Sequence, residues 1–210
     1  MKRALSLALA TLFVAGAAQA GVVSFSDSYG PDLTDWDPAK TLSLQQFNPL
    51  LGTLHSVTFE LAGSMQADFD ATNEARTPQQ ITNGLTGSLR FVLPTAADYS
   101  LALSASEVVV LGAGASAANS IGDSDSRTEL LLANLSAFVG GGSFDLGVFA
   151  LANAAISGSG NVSGGADTYA TATARVTYDY TAAQQAVPEP ASLALVGLAL
   201  GAVALSRRRA

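Results

Sequence analysis

The sequence predicts an all-β domain, an antiparallel β-sandwich or jelly roll, flanked by an N-terminal signal-peptide helix and a C-terminal hydrophobic helix. Three observations predict it. From Gly21 to Ala186 apolar residues recur at every second position, the period of a strand with one buried face. The alternating runs are short and separated by Gly, Pro, Asn and Asp, as in sandwiches. The two apolar stretches too continuous to alternate lie at the ends of the chain.

At the N-terminus, Lys2 and Arg3 precede an apolar run from Ala4 to Ala17, followed by Ala18-Gln19-Ala20. Small residues at Ala18 and Ala20 suit a signal peptidase, so residues 1–20 are expected to be a cleaved secretory signal. The domain that follows is expected to occupy residues 21–182. Its strands are signalled in order by Val23/Phe25, Leu42/Leu44, Val57/Phe59/Leu61, Leu85/Leu89/Phe91/Leu93, Tyr99/Leu101/Leu103 and Phe144/Leu146/Val148. The clearest is the last, Thr168–Thr181, with Ala170, Ala172, Ala174, Val176, Tyr178 and Tyr180 on one face and polar residues on the other. Arg127–Phe138 fits either a helix, since Leu131, Leu135 and Phe138 share a helical face, or a strand followed by a turn at Gly140-Gly141-Gly142. Gly112–Gly122 and Ser157–Gly165, small and polar, read as long loops. Residues 183–186 form a short tether.

Composition narrows the chemistry. The body, residues 21–186, carries 16 acids against five bases (Lys40, Arg76, Arg90, Arg127 and Arg175), which argues against a nucleic-acid partner. The chain has no cysteine, which removes thiol nucleophiles and zinc–thiolate sites. A sandwich of this length buries enough surface to stand without disulfides, even after export. The single histidine, His55, shares strand parity with Val57, Phe59 and Leu61 and is expected to be a packed or rim histidine; no G-x-S-x-G motif accompanies it. Glu60, Glu74, Glu107 and Glu129 show no pairing that would mark a glycosidase. Asp32, Asp35 and Asp37 around Trp36, and Asp123-Ser124-Asp125, offer oxygen ligands of the kind calcium takes, but lack the EF-hand pattern, and Asx-turns explain both clusters. No catalytic residue, cofactor or metal site is therefore expected. Trp36 and Tyr29 are either sugar-stacking aromatics or, for Trp36, a plug at one end of the core.

The far end has three parts: Val187-Pro188-Glu189-Pro190, then 15 uncharged and mostly apolar residues from Ala191 to Leu205, then Ser206 and Arg207-Arg208-Arg209. A helix over 191–205 would be about 22 Å long, short for a membrane core of ~30 Å. The arginines predict a cytoplasmic C-terminus. This order resembles the PEP-CTERM sorting signal of bacteria that make exopolysaccharide. The resemblance implies a temporary inner-membrane anchor, cut near the proline-glutamate-proline motif by exosortase; an ordinary single-span anchor is the alternative.

Phe47-Asn48-Pro49-Leu50-Leu51-Gly52-Thr53-Leu54, Phe138-Val139-Gly140, Ser157-Gly158-Ser159-Gly160-Asn161 and Val176-Thr177-Tyr178-Asp179-Tyr180 resemble the choice-of-anchor E domain. That resemblance implies an extracellular all-β module with no transferable activity. The expected partners are signal peptidase, exosortase, the inner membrane in passing, and exopolysaccharide. The expected function is that of a non-catalytic secreted or surface protein of the extracellular matrix; the rivals are a carbohydrate-binding module and, remotely, a glycoside hydrolase.

Overall fold

The alternating runs become eight strands: β1 (Ala20–Leu33), β2 (Lys40–Gln45), β3 (Gly52–Asn73), β4 (Gln79–Val92), β5 (Asp98–Leu111), β6 (Ser116–Leu131), β7 (Ser143–Gly158) and β8 (Val162–Ala182). The computed structural model describes residues 19–158, 160–183, 197 and 198. The expected signal-peptide helix, Ala18, the tail motif Val187–Pro190, the arginines Arg207–Arg209 and nearly all of the hydrophobic helix 191–205 lie outside the described residues. Among the described residues no helix is long and apolar enough to cross a membrane.

The strands form two four-stranded sheets in the orders β1-β8-β3-β6 and β2-β7-β4-β5, every strand pair antiparallel. Successive strands cross from one sheet to the other, except β4 and β5, which pair as a hairpin. This double Greek key is a jelly roll. Its core draws one residue in two from each strand. Ala170, Ala172, Ala174, Val176 and Tyr178 of β8 are buried, as are Val57, Phe59 and Leu61 beside them on β3 in the same sheet. Phe59, Phe138 and Phe144 close one region as a cluster of tilted rings with centroids 5.2–6.1 Å apart, a geometry rings favour over face-to-face stacking.

Both open sides of the sandwich are closed by an aspartate. Asp27 of β1 accepts from the Ser43 amide of β2 at 2.8 Å, and Asp123 of β6 accepts from the Ser104 amide of β5 at 2.9 Å. Each carboxylate also accepts from the amide of its own successor, Ser28 or Ser124. Edge strands expose unpaired amides that invite pairing with another chain, and these two carboxylates occupy one such amide on each side.

Three sequence expectations are corrected. Gly112–Gly122 is not a long loop, because Ser116–Gly122 is the first half of β6 and pairs with Gln66–Thr72 of β3. Ser157–Gly165 is likewise largely strand: Ser157 and Gly158 close β7, and Val162–Gly165 opens β8 against Asp70–Asn73. Both segments extend past most of the core and bury little, so nothing imposes apolar alternation on them. Of the two readings of Arg127–Phe138, the strand holds for its first part: β6 runs on to Leu131, and Leu135–Phe138 is one short 3-10 turn.

His55 is the third. It is exposed, although Val57 and Phe59 of the same parity are fully buried. The β3–β8 ladder passes from Leu54↔Tyr180 directly to Ser56↔Asp179, so His55 is the extra residue of a β-bulge. A bulge inserts one residue and reverses facing across it.

Candidate functional site

The outer face of the β1-β8-β3-β6 sheet is paved with small and hydroxylated side chains, and a trough crosses it. Its main part, about 430 Å³, lies over β6, β3 and β8 between Ser124, Asp125, Ser126, Ala62, Ser64, Thr171 and Thr173. A second part, about 280 Å³, shares Ser64 and Thr171 and continues past Gln66, Asp68 and Tyr169 to Pro31 of β1. Register assembles these residues. Ser64 stands opposite Ser124 on one side and Thr171 on the other, and Ala62 opposite Ser126 and Thr173.

Glycines account for the hollow. A β carbon on Gly63 would run into Leu89 of the facing sheet, and one on Gly122 would come within 2.8 Å of the Met65 carbonyl. The sheets therefore approach closely under the trough, and its floor stays low. On the β1 side, Gly30 has φ +100, where a side chain would be strained and would strike the Ala170 carbonyl. The β1–β8 register shifts between Tyr29 and Asp32, leaving Thr171 without a partner on β1. Pro31 sits in that irregularity.

The trough hydroxyls differ from those around them. Elsewhere on the sheet, side chains bond each other: Ser24 with Thr177 at 2.9 Å, Thr72 with Ser116 at 2.8 Å, Thr34 with Thr168, and Ser120 to Asp68 at 2.6 Å. Among the described residues, the hydroxyls of Ser64, Ser124, Ser126, Thr171 and Thr173 have no protein side chain as partner. Asp68, at the margin, is held below the usual carboxylate range by the Ser120 hydroxyl and the Gln66 amide, so it stays an acceptor. On the other margin Arg175 faces Glu60 at 3.8 Å.

The residues singled out in the sequence fall elsewhere. Trp36 is buried, its Nε1 donating to the Leu33 carbonyl at 2.6 Å and its ring meeting Tyr29 edge-on at 5.1 Å. It plugs the core, which corrects the stacking option for Trp36. Tyr29 donates to Asp32 at 2.6 Å, which with the Leu33 amide and Lys40 holds that carboxyl below its ordinary value. Asp35 and Asp37 border a 350 Å³ cavity with Phe149 and Leu151, but the Arg90 guanidinium lies over the Phe149 ring at 4.3 Å and covers it. Asp123 and Asp125 each accept from the amide of the next residue within β6, not from the amide two residues on, so the Asx-turn expected there is corrected to a strand. Among the described residues no three His, Asp or Glu side chains gather as a metal site. His55 hydrogen-bonds Thr181 Oγ1 at 2.6 Å on the exposed bulge. The glutamates are dispersed: Glu60 to Arg175, Glu74 to Asn161, Glu107 to Asn119, Glu129 to Arg127. Ala20, the last residue of the expected signal, is the first of β1, opposite Thr181.

Sequence reasoning missed the trough because serine, threonine, alanine and glycine carry no motif. The outer face of β8, with Tyr169, Thr171 and Thr173, was the visible part of it, but it takes the pairing with β3 and β6 to make a site.

Comparison with known proteins bears chiefly on the tail. Residues 186–209 match the PEP-CTERM protein-sorting motif. No curated protein matches the chain. Among solved structures, the chain is similar to infectious bursal disease virus Gt strain, at 10% identity over 84% of this chain and 43% of the viral one, with a TM-score of 0.18. The Gx strain gives 11% identity over 88% and 47%, with a TM-score of 0.17. The chain thus spans about half the length of these viral chains, and scores this low carry no argument about the sandwich.

Proposed function

We propose that the mature domain is a non-catalytic protein of the extracellular matrix, held there by exopolysaccharide. The sorting motif at residues 186–209 points to an exported, exosortase-processed protein with a C-terminal membrane anchor before processing. The observation that carries the matrix role is the trough of unpartnered hydroxyls on the broad face of a sandwich bearing that tail. A polyhydroxylated chain is the ligand such a surface complements. On this reading the precursor spans the inner membrane with Arg207–Arg209 in the cytoplasm, signal peptidase cuts after Ala20, and exosortase cuts near Pro188-Glu189-Pro190. The body then acts as a choice-of-anchor E module.

The test is fractionation. In cells that make exopolysaccharide, the tail-free protein is expected in the matrix; in cells of the same strain unable to make it, free in the medium. Equal matrix retention in both would contradict the proposal.

A further inference from the structure

We propose that the trough binds an internal stretch of an uncharged polysaccharide, laid across the strands from β6 to β1; this rests on the matrix reading above and names its ligand and site. The first argument is shape. The trough is open and crosses all four strands, about 14 Å at ~4.8 Å per strand, which accepts a few sugar rings of a chain continuing beyond both edges. A site for a chain end would be closed on one side.

The second argument is hydrogen-bonding capacity. A hydroxyl donates one hydrogen bond and accepts two, so Ser64, Ser124, Ser126, Thr171 and Thr173 can serve sugar hydroxyls in either sense. Neighbouring hydroxyls on the same sheet are already bonded to one another, which makes the unpartnered five a local property of the trough. At the β8–β1 end the half-buried Tyr169 and the exposed Pro31 border it. They supply the apolar surface that the C–H face of a sugar ring packs against.

The third argument is charge. No cation lines the trough, and Arg175 on its margin is paired with Glu60. Asp68 and Asp125 lie along it. A polyuronate or sulfated chain would meet like charge with nothing to offset it, whereas a neutral chain meets acceptors for its hydroxyl protons.

Affinity electrophoresis of the full chain in non-ionic detergent, through gels cast with hydroxyethylcellulose, with dextran, with alginate or with no polymer, tests this. Retardation is expected in at least one neutral gel and not in alginate. Ser64→Glu, which fills and charges the trough, should abolish it. Thr86→Glu, the same change on the exposed outer face of β4, should leave it intact. Should Ser64→Glu fail to fold by circular dichroism, Tyr169→Ala is expected to weaken retardation and Tyr169→Phe to keep it. Retardation in alginate alone, in neither neutral gel, or unchanged in the folded trough variants overturns the proposal. Matrix retention in cells with no retardation in the gels would sink the trough and leave the matrix role standing. Retardation without matrix retention would do the reverse.

Discussion

The Tyr178 phenol, fully buried near the end of β8, donates to the main-chain carbonyl of Gln45 at the end of β2, 2.7 Å away in the opposite sheet. Burial pushes its ionisation above the ordinary tyrosine value of 10.0. A group whose folded pKa is raised contributes stability that is fully present below the unfolded value and lost as pH rises through the interval above it. The protein should therefore lose stability above about pH 10. Tyr178→Phe should cost about 1 kcal/mol at neutral pH through the lost hydrogen bond, and flatten the alkaline limb. Denaturant melts across pH 7–11 check both.

Phe138 reaches the core from a 3-10 turn and touches both Phe59 and Phe144. Phe138→Ala is expected to destabilise by about 3–5 kcal/mol, the usual cost of emptying an aromatic site. The measurement is urea denaturation, with an unchanged slope showing that the fold is kept.

The two edge aspartates act locally. Asp27→Ala should speed amide hydrogen exchange at Ser43, and Asp123→Ala at Ser104, each leaving the other edge protected. Cost to global stability should be about 1 kcal/mol or less, because both hydrogen bonds are exposed to water. Site-resolved exchange by NMR distinguishes this from a general loosening.

His55 tests the bulge. Since its ring is outside, bonded only to Thr181, His55→Ala should change stability by no more than about 0.5 kcal/mol. Had it packed with Val57 and Phe59, the same change would cost several times more. A melting curve of the variant decides it.

These tests also show where sequence reading reaches and where it stops. The alternation in β8 was legible because each of Ala170 to Tyr178 on the even positions meets the opposite sheet. His55 was misplaced because an inserted residue in a ladder leaves no mark in composition, and it reverses facing without altering the run of apolar letters on either side. The first half of β6 escaped because an edge strand carrying Ser, Ala, Asn and Gly at its ends buries too little to enforce a pattern. The trough escaped for a further reason. Ser64, Ser124 and Thr171 are separated by about half the chain, and only β-sheet register makes them neighbours.

The tail gives the central test. A residue before proline avoids the helical region, so the proposed sorting role expects the Pro188-Glu189-Pro190 motif to be extended or in a turn, as a processing enzyme requires. Replacing Pro188-Glu189-Pro190 by alanines should leave full-length protein in the inner membrane.

The most direct measurement is the intact mass of the wild-type protein extracted from the extracellular matrix. The account predicts a chain beginning at Gly21 and ending near Pro188-Glu189-Pro190, without Arg207–Arg209. A matrix protein that still carries those arginines, or a protein found only in the membrane with its tail attached, would contradict it.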